Sequence, residues 1–215
     1  MNKLFFSMLL MLGIWAGAAA QSTEDIFNAS DTEIVFLGLD FTHCNFVGSE
    51  TEDFTNPQDI VKRIIPNWNN LFITEKEKYD LAKTFRKQAF EYDLSYVRDR
   101  NAEIDFLKIV TENESDATHL SEEDVARIIR GYRADVPQDI ALVFIVESLD
   151  KFAPQGNYWI TFFNPHNNQV IFTRRMSGKP GGIGMRNYWA RTYYNVLLAI
   201  QKKEFNKWRK EVSSQ

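Results

Sequence analysis

One short stretch holds residues whose types and spacing could do chemistry: Lys179, Gly181, Gly182, Gly184 and Arg186, within Ser177-Gly-Lys-Pro-Gly-Gly-Ile-Gly-Met-Arg. Glycines let backbone amides turn toward an anion. A helix expected to begin near Gly184 would add its positive end, and Lys179 and Arg186 would add charge. The pattern is not a phosphate loop, which sets Lys directly after its last glycine and Ser or Thr after that; here Lys179 follows the first glycine. Nor is it a dinucleotide fingerprint, since Gly182-Ile-Gly184 leads into Met-Arg-Asn with no closing glycine. The same glycines serve a tight strand-to-helix connection equally well. That connector role is the expectation, with an anionic or phosphorylated ligand at residues 177–186 as the alternative.

Nucleophilic and metal chemistry find less to work with. Cys44 is the single cysteine, so no intramolecular disulfide forms, and its place between Phe41 and Phe46 predicts a small buried hydrophobe. It stands next to His43, but neighbours on a strand point to opposite faces, which argues against a thiol–imidazole pair. The three histidines, His43, His119 and His166, are far apart and lack metal-ligand spacing. No Gly-x-Ser-x-Gly elbow occurs. Asp40, Asp93 and Glu147 fall at or near expected strand ends, where paired carboxylates could move protons. Spacing alone does not bring them together, and the plainer expectation is caps and surface charges. The aromatics Trp68, Tyr92, Trp159, Tyr188, Trp189, Tyr193 and Trp208 leave room for a second alternative, a carbohydrate-binding patch, beside ordinary use in a core. The expected protein binds rather than catalyses, with no catalytic residue, cofactor or metal.

Such residues need a sheet to position them. Glu33 to Phe41 is a near-continuous apolar run, and Asp139 to Leu149 holds Ile-Ala-Leu-Val-Phe-Ile-Val; both mark strands covered on two faces. Tyr158 to Phe163 and Val170 to Met176 flank the polar turn Asn164 to Gln169, which is a hairpin signal. Phe90, Tyr92, Leu94 and Tyr96 alternate with mostly polar neighbours and predict a half-buried strand. Helix starts are read at Asn56-Pro57-Gln58-Asp59, at the capping box Thr74-Glu75-Lys76-Glu77, and at Ser121-Glu122-Glu123-Asp124. Pro66 should kink or split the first of these helices. Gln21 to Thr32 reads as loose and polar, and a last helix is expected from about Gly184 to Glu211. The order predicts an α/β (α+β) fold. Its single mixed sheet has about five strands with helices packed on it, and a late hairpin leads into a long C-terminal helix.

The 215 residues carry a net charge of −4, which gives no global pull toward nucleic acid. From Val170 onward ten Lys or Arg stand against two acids, while Gln21 to Gln169 has fourteen against twenty-seven. Such an imbalance can mark a partner-facing surface; a solvated basic terminal helix balanced by acidic neighbours is the expectation. Met1 to Ala20 has the layout of a cleaved export signal: Lys3, an apolar run from Leu4 to Trp15, and Ala18-Ala19-Ala20 before Gln21. The apolar run is shorter than the roughly 20 residues that a span requires. Residues 1–20 are therefore expected to be a signal peptide, and 21–215 one α/β domain without a transmembrane segment, periplasmic or extracellular.

In layout, Asp139 to Val146, Tyr158 to Met176 and Ser177 to Gly184 resemble the small α/β domain of the curli-secretion lipoprotein class and the TolB amino-terminal domain. Asn164 to Gln169 stands where those domains have their polar hairpin turn. The run Gly-Gly-Ile-Gly-Met-Arg-Asn-Tyr-Trp-Ala, with Gly38-Leu-Asp-Phe41, is similar to segments of uncharacterised exported bacterial proteins. The chain departs from the curli class in having no lipid-anchoring cysteine at the cleavage point. The resemblance implies an envelope-facing fold that binds or assembles with a protein partner, and it carries over no catalytic residue.

Overall fold

The computed structural model describes residues 22–214, and the expected export signal lies outside them. In chain order the first half forms α1 (Thr23–Phe27), β1 (Ile34–Asp40), β2 (Asn45–Val47), α2 (Pro57–Asp59), α3 (Ile65–Thr74), α4 (Leu81–Phe85), β3 (Glu91–Tyr92) and α5 (Ser95–Ala102). The second half forms β4 (Val110–Thr111), α6 (Glu122–Arg130), β5 (Ile140–Asp150), β6 (Gln155–Asn164), β7 (Gln169–Gly178), α7 (Met185–Ala199) and α8 (Phe205–Val212). The seven strands join one mixed sheet, two short strands more than the sequence suggests.

β5 is the spine of that sheet and is buried at every position. On one side it pairs in parallel first with β1, over Ile140 to Ile145, and then with β2, over Ser148 to Asp150. β3 lies outside β1, and β4 lies outside β2. On its other side β5 pairs antiparallel with β6, and β6 with β7, the hairpin announced by the two aromatic runs. Helices cover both faces. Phe36, Phe144, Tyr158 and Phe172 on one face pack with Trp68 and Phe72 of α3, Trp189 of α7 and Trp208 of α8. Val35, Val143, Ile145 and Trp159 on the other meet Val97 of α5 and Val125 and Ile129 of α6. A strand covered on both faces has no reason to alternate, which explains the unbroken apolar run of β5.

β3 pairs only with Val35 and Phe36, so among the described residues the outer edge of β1 has no strand beyond that point. Two buried asparagines take its place. Asn69 Oδ1 accepts from the Leu39 amide at 2.7 Å, and its Nδ2 donates to the Leu39 carbonyl at 3.1 Å. Asn101 Oδ1 accepts from the Phe41 amide at 2.8 Å, and its Nδ2 donates to the Leu39 carbonyl at 2.9 Å. Gly38, at a register shift in β1 with φ 115, makes this possible, because a Cβ there would lie 2.5 Å from Asn69 Oδ1.

Several expectations need correction. Phe90 to Val97 is not a strand: only Glu91–Tyr92 pairs, and Asp93 Oδ1 accepts from the Ser95 amide at 3.0 Å to begin α5. Thr74 ends α3 instead of capping the next helix; Asp80 does that, its Oδ1 accepting from the Lys83 amide at 2.8 Å. Gln21 to Thr32 is not loose throughout, since the Ser22 amide donates to Asp25 Oδ2 at 2.8 Å and Ile26 and Phe27 of α1 are buried. Asn56 and Ser121 cap as expected. Pro66 does not break its helix, because Ile60–Ile64 is a π-turn directly before it. The wider turn relieves the clash of the proline ring with the Lys62 carbonyl. A second π-turn, Ile200–Glu204, joins α7 to α8 as the long C-terminal helix. No helix among the described residues is long and apolar enough to cross a membrane.

Candidate binding cleft

β1 and β2 run along the same side of β5, and between them the chain leaves the sheet. Asp40 lies opposite Ile145 and Asn45 opposite Ser148, so Phe41 to Cys44 loop out where β5 supplies only Val146 and Glu147. The β5–β6 register shifts at the same place, with Glu147 as the extra residue. Here, at the carboxyl end of β1, a cleft of about 650 Å³ opens. The 41–45 loop, Arg100, Glu103 to Asp105, Lys108, Ile109 and His119 line it. Open α/β sheets favour ligand sites at the carboxyl ends of strands.

Two buried acids brace this region, Asp40 at the end of β1 and Glu147 inside β5 and not at its end as expected. Asp40 is fully buried, and its Oδ1 accepts from the amide and hydroxyl of Thr42 at 2.9 and 2.6 Å. Its Oδ2 accepts from Arg100 Nε at 3.0 Å and from the Tyr132 hydroxyl. Arg100 Nη2 also donates to Thr42 Oγ1 at 2.9 Å. Burial, then the Asp40 charge, push the Tyr132 phenol well up, so it remains a donor. Glu147 is also fully buried. Its Oε1 accepts from the His119 and Leu120 amides, each at 2.9 Å, and its Oε2 from Arg175 Nε at 2.5 Å. Such buried charges persist only with partners of this kind. Asp93 accepts from Ser95 in a turn before α5 whose N-cap is Leu94, and Asp40 and Glu147 are buried, so none of the three is the helix cap expected and the last two are not surface charges.

Two of the three histidines, distant in sequence, are brought together. His119 Nε2 lies 3.0 Å from the His43 carbonyl oxygen and Nδ1 lies 3.0 Å from that of Asp116, so His119 ties the β1–β2 loop to the turn Glu114–Ala117. The His43 side chain lines the cleft and is open to solvent on one side, yet the enclosing walls lower its pKa below the ordinary 6.5. His166 is elsewhere, 3.3 Å from Asp139 at the β6–β7 turn. Cys44 borders the cleft but is only 4 % exposed, and burial pushes its thiol well up, which makes it a poor nucleophile. On the rim Lys108 pairs with Asp105 at 2.9 Å.

No family model matches the chain, and no curated protein does either.

The five residues singled out around the glycine loop do not gather at one place. Gly181, Gly182 and Arg186 line a pocket of about 170 Å³ with Lys78 and Tyr79. Gly184 borders a different pocket of about 250 Å³ with Asp53, Lys151 and Tyr188. Lys179 is exposed and lines neither, and its carbonyl accepts from Asn195 Nδ2 at 2.8 Å. The Gly181 amide donates to the Tyr188 carbonyl at 3.0 Å, and Gly182 holds φ 101, which gives the tight turn a connector requires. Of the seven aromatics, Trp68, Trp159, Trp189, Tyr193 and Trp208 are buried, leaving Tyr92 and Tyr188 partly exposed. Among the described residues no three or more His, Cys, Asp or Glu are grouped as metal ligands.

Proposed function

We propose that this chain is an exported binding or assembly protein of the bacterial cell envelope, and that it holds a segment of a protein partner in the cleft at the end of β1. The state of Asp40 and Glu147 carries this reading. Thr42, Arg100 and Tyr132 occupy one carboxylate, and His119, Leu120 and Arg175 occupy the other. Acids engaged in this way fix the shape of the site. The cleft offers apolar Phe41, Ile104 and Ile109 beside Lys108, Glu103 and Asp105. That mixture suits the apolar and polar groups of a peptide segment better than a lone phosphate or a sugar ring. The resemblance in sequence layout to curli-secretion and TolB domains, and the leader-like first residues, support the envelope assignment.

Two measurements test it. Intact mass of periplasmic material from a bacterial host should give a chain beginning at Gln21, and cytoplasmic material retaining Met1 would overturn export. Cross-linking in envelope preparations should trap a partner on the parent protein. Glu103→Trp, at an exposed rim position, should lose that partner while keeping the parental melting temperature. Equal trapping by both proteins, or turnover of an ester, glycoside or peptide substrate, would contradict the reading.

A further inference from the structure

We propose that the pocket between the Gly181–Gly182 turn and Tyr79 binds a small tetrahedral oxyanion, either free phosphate or the phosphoryl group of a larger ligand. This site is separate from the cleft and stands or falls without it. Three cations, Lys78, Arg186 and Arg191, line the pocket. Glu75 is the carboxylate that meets them, with Lys78 3.2 Å and Arg186 3.3 Å from its two oxygens. Among the described residues Arg191 forms no ion pair, and the ring of Tyr194 lies 5.4 Å from its guanidinium. The wall thus carries more positive charge than its own acid balances.

A second observation points the same way. Tyr79 is fully buried and lines this pocket; its hydroxyl neighbours the Lys78 ammonium and the Tyr193 hydroxyl, and among the described residues neither phenol meets hydrogen-bond geometry with a partner. The Lys78 ammonium stands 5.0 Å from the Tyr79 ring centre. A buried donor left unpaired is costly, and an anion in the pocket would accept from it while meeting the surplus charge. The volume, about 170 Å³, is far below the roughly 300 Å³ at which drug-sized ligands begin to be held. The first turn of α7, with no side-chain cap at Gly184, adds its positive end nearby.

The test is the melting temperature against inorganic phosphate, with ionic strength held constant by chloride. Phosphate stabilises proteins generally by exclusion, so saturation and controls decide the matter. The rise should saturate in the millimolar range. Lys78→Ala with Arg191→Ala, both exposed positions, should weaken the apparent Kd by at least about tenfold. Lys202→Ala with Lys203→Ala, also exposed, should leave it unchanged. Tyr79→Phe should match or exceed the parent without phosphate and lose most of the response to it; a full response would remove the hydroxyl from the site. Phenyl phosphate binding more tightly than phosphate would assign the site to an attached phosphoryl group, and the reverse order to the free ion. A rise that never saturates, or that is equal in the two double variants, is a general salt effect and overturns the proposal.

Discussion

His43 faces Asp40, Arg100, His119 and Arg127, and loss of water around its ring lowers its pKa below 6.5 while the Asp40 charge works against the shift. As pH falls through the window below 6.5, the unfolded chain takes up this proton before the folded one, so stability declines there; above 6.5 both forms are neutral and the term vanishes. An NMR titration should place the His43 midpoint below 6.5, and His43→Gln should flatten the loss of melting temperature in that window. A midpoint above 6.5 would refute it. The burial of Cys44 was legible from the phenylalanines around it. The meeting of His43 and His119 was not, because it depends on where β1 stops pairing with β5, and no local spacing encodes that register.

The outer edge of β1 shows the same limit for elements. Asn69 and Asn101 look like polar interruptions of their helices, and nothing in the sequence says that their amides complete a strand. Asn69→Ala should cost about 1–3 kcal/mol, because it leaves a buried Leu39 amide without its partner. Asn101→Ala should cost a similar amount through Phe41. Denaturant midpoints of the two variants measure this. Values within about 0.5 kcal/mol of the parent, the range of surface changes, would show that water replaces the side chains. Long elements were legible: the buried runs of β1 and β5, the hairpin, and the caps at Asn56 and Ser121. β2 and β4 were too short to show a period, and the expected strand at Phe90 failed because Asp93 offers the backbone a turn. Pro66 was read correctly as a disturbance but wrongly as a break, since a π-turn absorbs it.

For the whole molecule, the α/β order was readable while the identity of the central strand was not. Its one clue was length, since β5 runs for 11 residues and serves two parallel partners in succession. Leu142, Phe144 and Val146 belong to one core and Ala141, Val143 and Ile145 to the other, on a single backbone. Neither layer can melt without exposing the other. Unfolding should therefore be one transition, with far-ultraviolet circular dichroism and tryptophan fluorescence coincident, because Trp159 reports one face and Trp68, Trp189 and Trp208 the other. Separate midpoints would show that the layers are independent.

The sheet also has two unequal margins. Past β3, side-chain amides already fill the ladder of β1, and β3 and β4 offer two residues each. The opposite margin is β7, ten residues long and, among the described residues, paired in the sheet only with β6. A long open edge is a template for another strand, whereas a filled one is a stop. Under stress, copies meeting edge to edge would join through β7 and find no second long edge to continue from. Assembly of that kind ends at a pair, and the molecule carries its own terminator against fibre growth.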